Sequence, residues 1–198
     1  MRKQTLYKVL GVDGKPHHGG SGRWHLPTQH KSGKWKAAAW MPAIKGDLEP
    51  CANGYHLCRK DDLLGWLGPV IHIAEYDGEL VEAGDKVVVR RVRLISTITT
   101  WNDRTARLFA ADCAERALKK YWTDKSDERP MKAVQAARDF ANGKIAAAAR
   151  DAARDAAWDA ARAAAGDAAM AAARAAAWDA ERKWQTGRLF KYLDGDLP

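Results

Sequence analysis

Residues 85–118 read DKVVVRRVRLISTITTWNDRTARLFAADCAERAL, and within this stretch the apolar pattern changes its period. Over 86–96, KVVVRRVRLIS, a valine run gives way to apolar Val92 and Leu94 alternating with Arg91 and Arg93, which predicts a half-buried strand. Beyond Trp101 the spacing becomes helical. Leu108, Phe109, Cys113, Ala117, Leu118 and Tyr121 fall on one face, and Thr100 or Asn102 can cap the start of that helix. The switch divides the chain into a strand-rich part, 1–100, and a helical part, 101–198. It predicts an α+β protein whose two domains meet near Thr99 and Thr100.

Composition supports the division. All six histidines and five of the seven prolines precede residue 100. In that part TLYKVLG (5–11), Tyr55–Cys58 and PVIHIAEY (69–76) are the further strand candidates, giving a small, mostly antiparallel sheet with one or two helices. Asp13-Gly14, Asp77-Gly78 and Gly84-Asp85 are turn signals, and DDLLGWL (61–67) predicts a short helix stopped by Gly68-Pro69. HHGGSGRWHLP (17–27) is a glycine-rich loop, followed to Pro50 by sequence of low regularity. In the helical part, Pro130 suits the first turn of a second helix that ends at Asn142-Gly143, after a polar linker over 124–129.

The alanine tract RDAARDAAWDAARAAAGDAAMAAARAAAWDAER (150–182) repeats every four residues, placing Arg150, Arg154, Trp158, Arg162, Gly166, Met170, Arg174, Trp178 and Arg182 in one register. A helix advances about 100° per residue, so each step of four drifts by about 40° and the row winds around a straight helix. A break at Gly166 restores two shorter faces and predicts an all-α, alanine-rich bundle. Arg150, Arg154, Arg162 and Arg174 are candidates for a secondary anion groove. Alanine faces also pair readily between copies, so a homodimer is expected.

The formal charge of +8 resides entirely in residues 1–45, which carry nine Lys/Arg against one acid, Asp13. Such a segment, bearing Trp24, Trp35 and Trp40, can steer a phosphate-bearing partner and stack against a base. Direct nucleic-acid binding is not expected, because Arg and Asp alternate along the tract and leave no continuous positive ridge. No apolar run suits a membrane span and the N-terminus lacks the apolar core of a signal peptide, so a cytoplasmic protein is expected. Three cysteines, Cys51, Cys58 and Cys113, argue against a disulfide framework. CANGYHLC (51–58) lacks the usual spacing of a zinc site, so neither metal nor cofactor is expected.

The glycine-rich loop does not end in the GK[ST] of a P-loop, yet its backbone amides beside Arg23 could hold one phosphate. The candidate ligand-binding set is therefore His17, His18, Arg23, Trp24 and His56, with Arg59 or Arg93 as charge partners. No spacing fixes a nucleophile and no catalytic residue is assigned. In an enzymatic reading His56 is the acid-base candidate.

The segments LYKVLGVDG, GYHLC, IAEYDGE and DKVVVRRVRLI resemble an α+β domain found in phage and prophage proteins, whose variants show a G-[YF]-H-x-C core. TWNDRTARLFAADCAERAL, RPMKAVQAARDFANGKI and the alanine tract resemble the helical immunity-protein-like domain of bacterial polymorphic toxin systems. The resemblance transfers no catalytic residue. It implies a phage-encoded protein acting in conflict inside a bacterial host cell. The leading expectation is counter-defence by sequestering a phosphorylated signalling nucleotide, cyclic or ADP-ribose-type, without turnover. The alternatives are an immunity or inhibitor protein binding a toxin or host defence protein through its helical domain, and an enzyme acting on a nucleotide or NAD-like substrate.

Overall fold

The computed structural model describes residues 4–122, 124, 126–149 and 175–198, with side chains in the last stretch described from 179 onward. The fold is α+β, with an antiparallel sheet followed by a helical region. Contacts cluster the chain into two units, Met1–Trp101 and Asn102–Pro198.

In the first unit β1 (Leu6–Leu10), β4 (Tyr55–Leu57), β5 (Val70–Ala83) and β6 (Lys86–Thr97) form a four-stranded sheet in the order β1-β5-β6-β4, all pairs antiparallel. The sheet curls on itself. Tyr7 in β1 and Cys58 just past β4 exchange backbone hydrogen bonds of 2.9 and 2.8 Å, so the first strand meets the last and their edges are shared. Both phases of β1 are apolar for this reason: Leu6 and Leu10 face one way, Tyr7 and Val9 the other, and all four are buried.

The stretch expected to be irregular has structure of its own. β2 (Thr28–Gln29) and β3 (Trp35–Lys36) make a short antiparallel hairpin. The chain then runs along β6, where Ala38, Met41 and Ile44 donate backbone hydrogen bonds to the carbonyls of Leu94, Val92 and Arg90. Trp24, Ala38 and Met41 thereby close a core with Leu6, Leu10, Leu57, Val87, Val89, Val92 and Leu94. Each such aliphatic side chain contributes roughly 1.5–3 kcal/mol by leaving water.

Two local expectations are corrected. Asp77-Gly78 is not a turn: β5 continues through it, with the register against β6 shifting between Asp77 and Leu80 and Gly78 in the left-handed region at φ 81°. A bulge and a turn both call for a residue that tolerates positive φ, so the dipeptide alone does not distinguish them. The hairpin does reverse at Gly84-Asp85. DDLLGWL forms only a four-residue 3-10 turn, Leu63–Trp66; Asp62 makes no side-chain cap and instead pairs with Arg59 at 2.6 Å. Seven residues containing Gly65 are too few to repay helix nucleation.

In the second unit, helix α1 (Asp103–Tyr121) starts at Asn102, whose Oδ1 accepts from the amides of Arg104 and Thr105 while Thr105 Oγ1 accepts from the amide of Asn102. This reciprocal pair satisfies orphan donors of the first turn. Helix α2 (Arg129–Ala141) carries Pro130 in its first turn and ends at Asn142, followed by Gly143 at φ 70°. Helix α3, described over Ala175–Leu193, buries Leu189, Phe190, Tyr192 and Leu193 near its end. The four-residue row, its break at Gly166 and the groove candidates Arg150, Arg154, Arg162 and Arg174 lie outside the described residues. Among the described residues no helix is long and apolar enough to cross a membrane.

Candidate functional site

The first unit contains a cavity of about 220 Å³ between β1, the end of β4, the 3-10 turn and the glycine-rich loop. Lys8, His18, His56, Cys58, Trp66 and Lys86 line it. Lys8 shares the β1 phase of Leu6 and Leu10, which draws its stem inward. Its Nζ donates to the His56 carbonyl at 3.1 Å and lies 4.7 Å from the Trp24 ring centroid. Burial pulls this ammonium down to about 8. Lys86 covers the Trp66 ring at 5.0 Å, and the Trp66 indole donates to the Asp85 carbonyl at 3.0 Å.

His56 is fixed between these cations. Its Nε2 accepts from the backbone amide of Cys51 at 2.8 Å, and Cys51 takes a left-handed φ of 67° to make the bond. Burial, then the Lys8 and Lys86 charges, holds the ring below the usual histidine range, so it is neutral at pH 7. Cys58 is buried and its thiol is pushed up to about 12 by burial, which leaves it an unreactive wall. Among the described residues no three His, Cys, Asp or Glu side chains converge as metal ligands.

His18 Nε2 donates to the Trp66 and Leu67 carbonyls at 2.8 and 3.0 Å, pinning the glycine-rich loop over the 3-10 turn. His17 is exposed and meets the His18 ring edge-on at 4.7 Å. This seam closes at Gly68, where an added Cβ would lie 2.5 Å from His17 Cδ2 and 2.7 Å from Val9 Cγ1. Gly68→Ala is therefore expected to lower stability by about 2 kcal/mol, read as a shift of the urea midpoint at constant slope. An unchanged midpoint would mean that the loop moves away without cost.

Of the ligand residues expected from sequence, only His18 and His56 line the cavity. Trp24 is buried at 6% exposure, covered by Lys8 and met edge-on by Tyr55 at 5.4 Å, so its ring is core and not a platform for a base. Arg59 is committed to Asp62, Glu82 and the Gly84 carbonyl. Arg93 pairs with Glu75 at 2.7 Å and stacks over Trp40. Arg23 is exposed and contributes nothing to the cavity wall. Sequence pattern alone does not single out Lys8 and Lys86 as cavity residues, although a lysine in phase with Leu6 and Leu10 is itself a signal.

The second unit is organised around a buried acid. Asp112 is 5% exposed on the inner face of α1, and its Oδ1 accepts from Arg138 Nη1 of α2 at 2.6 Å. Its Oδ2 accepts from Arg188 Nε and Tyr192 Oη of α3 at 2.6 and 2.7 Å. Burial alone would raise this carboxyl; hydrogen bonds from Tyr192, Arg188 and Arg138 outweigh it and hold the group below the usual range. Arg138 also reaches Glu115, while Arg116 pairs with Glu181 at 2.9 Å and lies over Trp184 at 4.3 Å. On another side of α1 and α2 an open groove is bounded by Leu118, Trp122 and Met131, with Lys119, Lys132 and Glu128 on its rim. Met131 and neighbouring Tyr121 are each 38% exposed.

Residues 96–188 match the family model described as "Imm-5 like putative immunity protein". The match begins at the end of β6 and takes in α1, α2 and most of α3. No curated protein and no solved structure matches the chain.

Proposed function

We propose that the chain is an immunity-type inhibitor whose helical unit binds a protein toxin. The observation that carries this reading is the family match over 96–188, which coincides with the unit that Asp112 ties together. A buried three-helix junction presents its outer faces rigidly, as a pre-organised binding surface requires. The groove between α1 and α2 is the contact surface we assign to it, because exposed Tyr121 and Met131 place apolar area beside mixed charge within the matched segment. Sequestration of a cyclic or ADP-ribose-type nucleotide finds no support in the match. The cavity of the first unit, about 220 Å³, is also smaller than a pocket that encloses a dinucleotide.

The test is growth rescue in bacteria expressing a panel of polymorphic-toxin effector domains. The full chain is expected to restore growth against at least one effector, and removal of 102–198 is expected to abolish protection. Met131→Asp, at an exposed position, should leave the fold intact and weaken binding to that effector by about tenfold or more. Protection by 1–101 alone would overturn the reading, and full affinity in the Met131→Asp protein would move the contact surface off this groove.

A further inference from the structure

The first unit lies almost entirely outside the matched segment, and its cavity is lined by both cationic and apolar side chains. Lys8 Nζ makes one hydrogen bond, to a carbonyl, although an ammonium carries three N–H donors. Among the described residues no carboxylate lines the cavity. Asp62 is held by Arg59 at 2.6 Å, and exposed Asp85 reaches Lys86 only at 4.0 Å. Gly19 and Gly20 reach the cavity with φ of 86° and 97°, and among the described residues their amides donate to no protein acceptor. Trp66, Leu57 and Val9 complete the lining, with Lys86 lying 5.0 Å from the Trp66 ring centroid.

We propose that this cavity binds a small organic oxyanion, a carboxylate or phosphate monoester on a compact apolar body. Lys8, Lys86 and the Gly19–Gly20 amides take the oxyanion, and Trp66 takes the body. The donors of the lining are in excess of their acceptors, and an anion with several lone pairs supplies what is missing. The apolar part of the lining and a volume several times that of one oxyanion group call for carbon attached to it. Neutral His56, accepting from Cys51, keeps the floor in place and is a positioning residue. The inference is independent of toxin binding by the second unit.

The experiment is isothermal titration of the full chain with benzoate, phenyl phosphate and inorganic phosphate at pH 7. Benzoate and phenyl phosphate are expected to bind, phenyl phosphate the more tightly because two cations face its two charges, and inorganic phosphate at least about tenfold more weakly. Affinity should fall about tenfold between pH 7 and pH 9.5, as Lys8 loses the proton it holds with a value of about 8. Lys8→Met should remove binding, while Lys45→Met, at an exposed position outside the cavity, should leave it unchanged. Should Lys8→Met fail to fold, Lys86→Met and the pH series on the parent carry the test. No heat with either aromatic probe, equal binding of inorganic phosphate, or parental affinity in both lysine variants would overturn the assignment.

Discussion

Replacing Asp112 with alanine is expected to cost about 3–5 kcal/mol of unfolding free energy, the range for removing one partner of a buried ion pair. That is a large share of the 5–15 kcal/mol that typically holds a domain together. The substitution strands Arg188 and leaves the hydroxyl of Tyr192, itself 3% exposed, without the acceptor it now reaches at 2.7 Å. Arg138 is less affected, because Glu115 still receives its second nitrogen. Asp112→Asn keeps the volume and one acceptor but loses the charge and turns an amide toward a guanidinium, so an intermediate loss is expected. Urea unfolding followed by circular dichroism gives the magnitude, and hydrogen exchange should locate the faster amides in α1, α2 and α3. A loss under about 1 kcal/mol for both variants would reduce the junction to a solvated ion cluster.

The same residue illustrates what the sequence withheld. Asp112 occupies the helical phase of Thr105, Leu108 and Phe109, so an acid on an apolar face was visible as an anomaly. Its meaning was not, since the partners lie 26, 76 and 80 residues away and only the packing of three helices brings them together. Features decided by neighbours in the chain were legible: the change of period across residues 85–118, the Asn102 cap, Pro130 in the first turn of α2 and the Gly84-Asp85 reversal. Those decided by burial were not. Trp24 stands in a basic, glycine-rich loop, where an aromatic suits ligand stacking and core packing equally. The chain running along β6 is what buries it. Lys8 is hidden for the opposite reason, because a strand residue flanked by apolar neighbours does not suggest a cavity until β1 curls round to meet Cys58.

The first unit should show its own signature in acid. His72, on β5 opposite Lys8 and Thr97, is 3% exposed, and burial holds its imidazole down to about 4 from an unfolded value near 6.5. Its Nδ1 and Thr97 Oγ1 are 3.0 Å apart in a hydrogen bond. Between pH 6.5 and 4 the unfolded chain binds a proton here that the folded chain does not, so stability is complete above pH 6.5 and is lost as the pH falls through that window. The shift corresponds to about 3 kcal/mol between pH 7 and pH 4. Urea unfolding at half-unit steps is expected to trace this loss, with the earliest exchange in β5 and β6. His72→Phe keeps a ring of similar size without a titrating nitrogen, so it should flatten the slope to less than a third of the parent's. His56, whose lowered value acts in the same direction, contributes to the remainder. Asp112, held below the usual carboxylate range, makes its loss at lower pH than His72. Equal slopes in the parent and in His72→Phe would place the proton on another group and remove His72 from the account.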